Sequence, residues 1–98
     1  MDLFGIKIAL DEADIMNIVT KKTYRSNGVG TLLLKSIISL CSNLDVKKIN
    51  LEVNEENLTA IHLYEKFGFK KIGNRKNYYQ NKNAILMSLT KIDVDIFI

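Results

Sequence analysis

Ninety-eight residues suffice for one small domain with a modest core and leave no room for a second. A hydrophobic fraction of 47% beside 26% charged residues is that of a globular chain, not a disordered one. The net charge of +3 is too mild to argue for nucleic acid but suits an anionic ligand, and no apolar run reaches the roughly 18–20 residues that span a membrane.

The Ile- and Leu-rich run from Leu3 to Leu10 reads as a strand, Asp11-Glu12 as a turn, and Ala13 to Thr20 as a second strand. Lys21 to Asn27 is a polar loop. From Gly28 to about Cys41 the apolar residues Val29, Leu32, Leu33, Ile37, Leu40 and Cys41 recur at three- and four-residue spacing, which predicts a helix. Ser42 to Lys47 connects it to a short β-branched strand, Lys48 to Val53. A strand, a crossover helix and a strand make a βαβ unit, so the second and third strands are expected to be parallel. Asn57 reads as the N-cap of a helix over Leu58 to Phe67, which Gly68 stops. A strand from Phe69 to about Asn74, a polar loop from Tyr78 to Asn83 and a last strong strand from Ala84 to Thr90 follow. The tail Ile92–Ile98 reads as an extra edge strand or a frayed end. The order β-β-α-β-α-β-β implies one α+β domain over residues 1–98 with a mixed sheet.

The sole cysteine, Cys41, sits on the apolar helix face and reads as a buried thiol in a reducing compartment. With no charged-then-apolar N-terminal pattern, the cytoplasm is the expected location. His62 reads as a packed or surface residue rather than a catalyst.

At the strand-to-helix junction stands Tyr24-Arg25-Ser26-Asn27-Gly28-Val29-Gly30. Glycines let the backbone approach an anion, and the first helical turn offers unpaired N–H groups and the positive end of the dipole. Amides from Asn27 through Thr31, helped by Arg25, can therefore cradle a diphosphate. The same loop also reads as a tightly packed helix start. It lacks the third glycine of a dinucleotide site and the Gly-Lys-Ser/Thr ending of a P-loop.

Further motifs at matching spacing make the chain recognisable: Asn17-Ile18, Arg25-x-x-Gly28-x-Gly30, Leu51-Glu52-Val53 with Asn57, Leu63-Tyr64-Glu65-Lys66-Phe67-Gly68-Phe69, and Arg75 with Tyr78-Tyr79. Over about Ile6 to Leu89 the chain resembles the GNAT superfamily of N-acetyltransferases, and within it most closely the ribosomal-protein alanine N-acetyltransferases. The resemblance implies a mostly antiparallel mixed sheet around the βαβ unit, and acetyl-coenzyme A as the acetyl donor. It implies that Ile18, Val19 and Thr20 pair with the pantetheine arm as if it were an added strand. It assigns the pyrophosphate loop to Arg25, Ser26, Asn27, Gly28, Val29 and Gly30, a cofactor contact to Asn57, the general base to Glu52 and the general acid to Tyr64. A carboxylate takes the proton of an ammonium, a phenol protonates a departing thiolate, and the Val19 N–H is placed to stabilise the oxyanion. No metal and no covalent nucleophile is expected. Glu52 also reads as a plain strand acid, Tyr64 as a packing residue and Asn57 as a cap alone. Tyr78 and Tyr79 either shape the acceptor pocket or pack at a strand end.

Similar chains begin with an additional strand, two helices and a second strand, which are absent here. In the family those helices form one wall of the acceptor site, so coenzyme A binding is better supported than catalysis. The first remaining strand leaves an open edge, and a homodimer through that edge or by exchange of C-terminal strands is expected. The leading expectation is acetyl transfer to a primary amine such as a ribosomal or other protein N-terminus, without nucleic-acid or membrane partners. A catalytically weak coenzyme A-binding module is the alternative, and a purely structural domain the third.

Overall fold

In the computed structural model, which describes residues 2–3, 5–15, 29–79 and 81–92, the apolar N-terminal run forms two strands rather than one. Strand β1 (Asp2–Leu3) pairs antiparallel with β2 (Ile6–Ala9), with Leu3 opposite Ile6. Gly5, at φ 83°, lies in the tight connection, a conformation that glycine adopts without the Cβ clash other residues suffer. The next turn carries Leu10 at φ 57° and leads into β3 (Glu12–Ile15).

Helix α1 spans Val29–Asn43 and ends with Asp45 in the left-handed region at φ 58°. Its buried face is Gly30, Leu34, Ile37, Ile38 and Cys41, a clean i, i+4, i+7, i+8, i+11 stripe. That stripe is rotated from the predicted one: Leu32 is 66% exposed. Three consecutive leucines cannot all face inward on one helix, and the longer pattern chose the middle of the sheet for Leu34.

Strand β4 (Lys48–Asn54) then pairs parallel with β3 through Glu12↔Lys48, Ala13↔Ile49 and Asp14↔Asn50, as the βαβ reading requires. The side chain of Asn57 accepts from the Ala60 amide at 3.1 Å and caps α2 (Leu58–Lys66). Gly68, at φ 99°, ends that helix, and the Phe69 amide reaches back to the Tyr64 carbonyl at 3.0 Å. Strand β5 (Lys70–Tyr79) and β6 (Lys82–Leu89) form a long hairpin. The segment expected to be a loop from Tyr78 to Asn83 is thus mostly strand: Tyr79 pairs with Lys82 across a short turn in which Asn81 has φ 72°. Edge strands carry polar residues on both faces, so their alternation is muted in sequence. Of the tail, residues 93–98 lie outside the described residues.

The six strands run in the order β1-β2-β3-β4-β6-β5, with the β3–β4 pair parallel and the other pairs antiparallel. Both helices pack on one face. Ile6, Ile8, Ala13, Ile15, Ile49, Leu51, Val53, Met87 and Leu89 from the sheet meet Leu34, Ile37, Ile38 and Cys41 from α1 and Ala60, Tyr64 and Phe67 from α2 in one core. The intervening side chains (Lys7, Glu12, Asp14, Asn50, Glu52, Leu86 and Ser88) point to the opposite face, because strand side chains alternate. Among the described residues no helix covers that face.

Candidate active site

The open face is paved by a polar row. The register sets Lys7, Asp14, Asn50, Ser88 and Lys70 side by side across five strands. Ser88 Oγ donates to Asn50 Oδ1 at 2.5 Å, and Asn50 Nδ2 donates to Asp14 Oδ1 at 3.0 Å and Glu12 Oε1 at 3.2 Å. One asparagine thus satisfies a buried hydroxyl and bridges two neighbouring carboxylates.

Glu52 lies two residues further along β4, beyond the Glu12–Asp14 ladder with β3. Leu51 and Val53 bury themselves in the core on either side of it, and so aim its carboxylate at the open face. Oε1 is 2.9 Å from Arg75 Nη2 of β5, and Oε2 is buried without a hydrogen-bond partner among the described residues. An unpaired buried carboxylate oxygen is unfavourable by roughly 1–3 kcal/mol or more, so it marks a place where an incoming donor is welcome. Glu52 borders a cleft of about 590 Å³ whose walls include Asp14, Lys48, Asn50, Arg75, Ile72 and Leu86. The cleft lining mixes apolar residues (Ile15, Leu51, Ile72, Leu86 and Met87) with charges of both signs, which suits a small ligand with apolar and polar parts.

Tyr64 sits on the other side of β4. Its side chain is completely buried on the inner face of α2, with its ring edge-on to Phe69 at 5.7 Å and 60°. The structure therefore sets Glu52 and Tyr64 on opposite faces of the sheet rather than in one cleft. Asn57, expected to touch a cofactor, spends its side-chain oxygen on the α2 cap. Val29, Gly30 and Thr31 open α1 as predicted, and no acidic residue occupies its first turn. Ile18, Val19, Thr20, Arg25, Ser26, Asn27 and Gly28 lie outside the described residues.

The loop before α2 is tied to the β5–β6 hairpin. The Glu55 amide donates to the Asn83 carbonyl at 3.0 Å, the Asn83 amide donates to Glu55 Oε1 at 3.3 Å, and Lys82 Nζ meets Glu56 Oε1 at 2.8 Å. Hydrogen bonding to Glu56 and its charge raise the Lys82 amine above its ordinary 10.5. The sequence pattern did not reveal these contacts, nor the ion pair between Glu52 and Arg75, since the partners stand 23 or more positions apart and carry no periodic signal.

This sheet order, with one parallel pair bridged by a helix, places the chain in the class of α+β acetyltransferase domains. The chain belongs to the acetyltransferase (GNAT) family, which residues 4–69 match. A protein of Bacillus subtilis (strain 168) is 41% identical over 88 residues, covering 88% of this chain and 58% of its own length. The [ribosomal protein bS18]-alanine N-acetyltransferase of Escherichia coli (strain K12) is 37% identical over 94 residues, covering 91% of this chain and 64% of its own. The crystal structure of the ribosomal-protein-S18-alanine N-acetyltransferase from Escherichia coli superposes with a TM-score of 0.72 at 32% identity, over 86% of this chain and 57% of that one. The chain thus spans about six-tenths of the length of the curated relatives it matches. No helix among the described residues is long and apolar enough to cross a membrane.

Proposed function

We propose that this chain carries the catalytic core of an acetyl-coenzyme A-dependent N-acetyltransferase whose acceptor is a protein N-terminal amine, of the ribosomal-protein-alanine type. The observation that carries this reading is Glu52: a carboxylate with one oxygen ion-paired and the other buried and unpaired at a cleft on the open face. The relatives named for acetylating a ribosomal protein's alanine supply the acceptor class.

The start of α1 fits the diphosphate of coenzyme A on charge grounds, since an acid-free first turn leaves the positive helix end unopposed. In this reading Arg25 to Thr31 hold the diphosphate, Ile18, Val19 and Thr20 the pantetheine arm, and Asn57 contributes a further contact. When bound, the cofactor supplies an acetyl thioester, whose carbonyl carbon joins the amine nitrogen and whose sulfur departs. Glu52 accepts the proton that the acceptor ammonium must lose before its lone pair is free. The Tyr64 hydroxyl gives a proton to the departing sulfur, and the Val19 N–H steadies the negative charge on the acetyl oxygen. Tyr64 stands on the opposite face of the sheet from Glu52, so this reading requires the thioester to pass β4 between the two. Association of two copies through the β1 edge or the C-terminal segment belongs to the same reading.

A thiol-release assay on alanine-initiated peptides tests it. Glu52→Gln is expected to slow transfer by about 100-fold or more, in the range of a lost general base. Tyr64→Phe keeps the ring packing and is expected to slow it about tenfold or more. A Glu52→Gln protein as fast as its parent across pH removes the base assignment. The second reading, a coenzyme A-binding module with little transferase activity, is favoured by a sheet face that no helix covers among the described residues. It predicts thermal stabilisation by coenzyme A with no thiol release.

A further inference from the structure

Strand β5 does not keep simple register with β6. Lys70 pairs with Ser88 and Lys71 with Met87, but Gly73 rather than Ile72 pairs with Leu86. Ile72 is therefore an extra residue, a β-bulge. Side chains alternate with a period of two, so one extra residue sends everything beyond it to the other face. Continued without the bulge, the ladder would set Ile72 against Leu86 and Arg75 against Asn83, which puts Arg75 on the helix-covered face with Ile85. With the bulge, Arg75 pairs with Ala84 and emerges on the open face, where Nη2 meets Glu52 Oε1 at 2.9 Å. Ile72 itself joins the wall of the same cleft.

We propose that Arg75 is a positioning residue for Glu52, brought to the open face by the bulge at Ile72, and that its hold on Oε1 fixes the direction of the carboxylate at the cleft wall that receives the acceptor amine. The inference rests on the reading of Glu52 as the base. The Arg75 side chain is 55% exposed and that of Glu52 23%, and pairs so exposed add little to folding. A neighbouring cation does not make a carboxylate a stronger base, so the contribution is direction rather than basicity. The planar guanidinium supplies that direction better than an ammonium, because its N–H groups are fixed in one plane.

The experiment is a double-substitution cycle on Glu52 and Arg75, read by acetyl transfer from acetyl-coenzyme A to an alanine-initiated peptide. Arg75→Ala is expected to lower kcat by about tenfold, the scale of a misplaced reacting group, while the KM for acetyl-coenzyme A stays within about twofold. Arg75→Lys is expected to recover only part of the loss. In the Glu52→Gln background, Arg75→Ala is expected to change nothing further, the mark of two residues acting as one unit. Unchanged kcat in Arg75→Ala with a slow Glu52→Gln overturns this inference alone, and so do losses that simply multiply in the double variant. A Glu52→Gln protein as fast as its parent, or a parent that transfers nothing, overturns the base reading and this inference with it.

Discussion

The Ser88 hydroxyl donates to Asn50 Oδ1 at 2.5 Å, and the same asparagine donates to Asp14 and Glu12 with its amide nitrogen. Ser88 is 4% exposed, so its hydroxyl depends on that acceptor, while the two carboxylates depend on the donor to sit side by side. Asn50→Ala strips both. It is expected to lower unfolding free energy by about 1–3 kcal/mol, the penalty for a stranded buried polar group. For a domain of this size that is a fall of roughly 4–8 °C in Tm for each kcal/mol. Adding Ser88→Ala removes the orphan and is expected to recover part of the loss, because deleting both partners is milder than deleting one. Thermal melts of the parent, both single variants and the double check the order.

Asn57 separates capping from ligand contact. Its Oδ1 accepts from the Ala60 amide at 3.1 Å. Asn57→Ala is expected to destabilise by about 1 kcal/mol, and Asn57→Asp to fold as well as the parent, since aspartate caps equally well. If Asn57 also contacts the cofactor as proposed, Asn57→Asp replaces the amide by a charge and is expected to weaken coenzyme A binding without lowering Tm. Calorimetric titration beside a thermal melt reads both effects; equal affinities in parent and Asn57→Asp leave the residue as a cap only.

Gly68 is held at φ 99°, and a Cβ there would lie 3.2 Å from Leu89 Cδ1. Backbone strain and crowding act together, since Leu89 is 3% exposed in the core and has little room to yield. Gly68→Ala is expected to destabilise by about 1–3 kcal/mol. Denaturant titration checks this, and a loss below the uncertainty of the fit would mean that the α2 terminus can be rebuilt at no strain.

What could be read from residues alone was local or periodic. Asn57 and Gly68 act through their own backbone and side chain, so cap and stop were legible without any knowledge of the sheet. The parallel β3–β4 pair followed from the helix between them. The hairpin at Gly5 was hidden inside a mostly apolar run, where a single glycine marks the turn. The bulge at Ile72 leaves only Gly73 as a trace, a lone glycine inside a strand pattern, yet it decides which face Arg75 occupies. The polar row is likewise invisible in one dimension: Asp14, Asn50 and Ser88 stand 36 and 38 positions apart and meet only through register. Glu52 was singled out as a base by the resemblance of its motif, while its partner and its unpaired oxygen required the folded sheet.

Cys41 gives a prediction whose sign follows from burial. The residue is fully buried in the α1 stripe, and desolvation raises its thiol pKa above the ordinary 9.0. The folded thiol keeps its proton at a pH where the unfolded chain has lost it. Folded protein then binds more protons than unfolded protein, so stability falls as pH rises through and above 9.0. The contribution is fully present below that value. Cys41→Ala removes the titrating group and is expected to flatten the alkaline limb of the curve of unfolding free energy against pH. It also lowers the whole curve by about 1 kcal/mol, for the small cavity left behind. In the parent, the native thiol is expected to resist an alkylating reagent near neutral pH and to react at once in denaturant. Rapid labelling of the folded chain, or parallel alkaline limbs for parent and Cys41→Ala, would show that the thiolate is accommodated in the core after all.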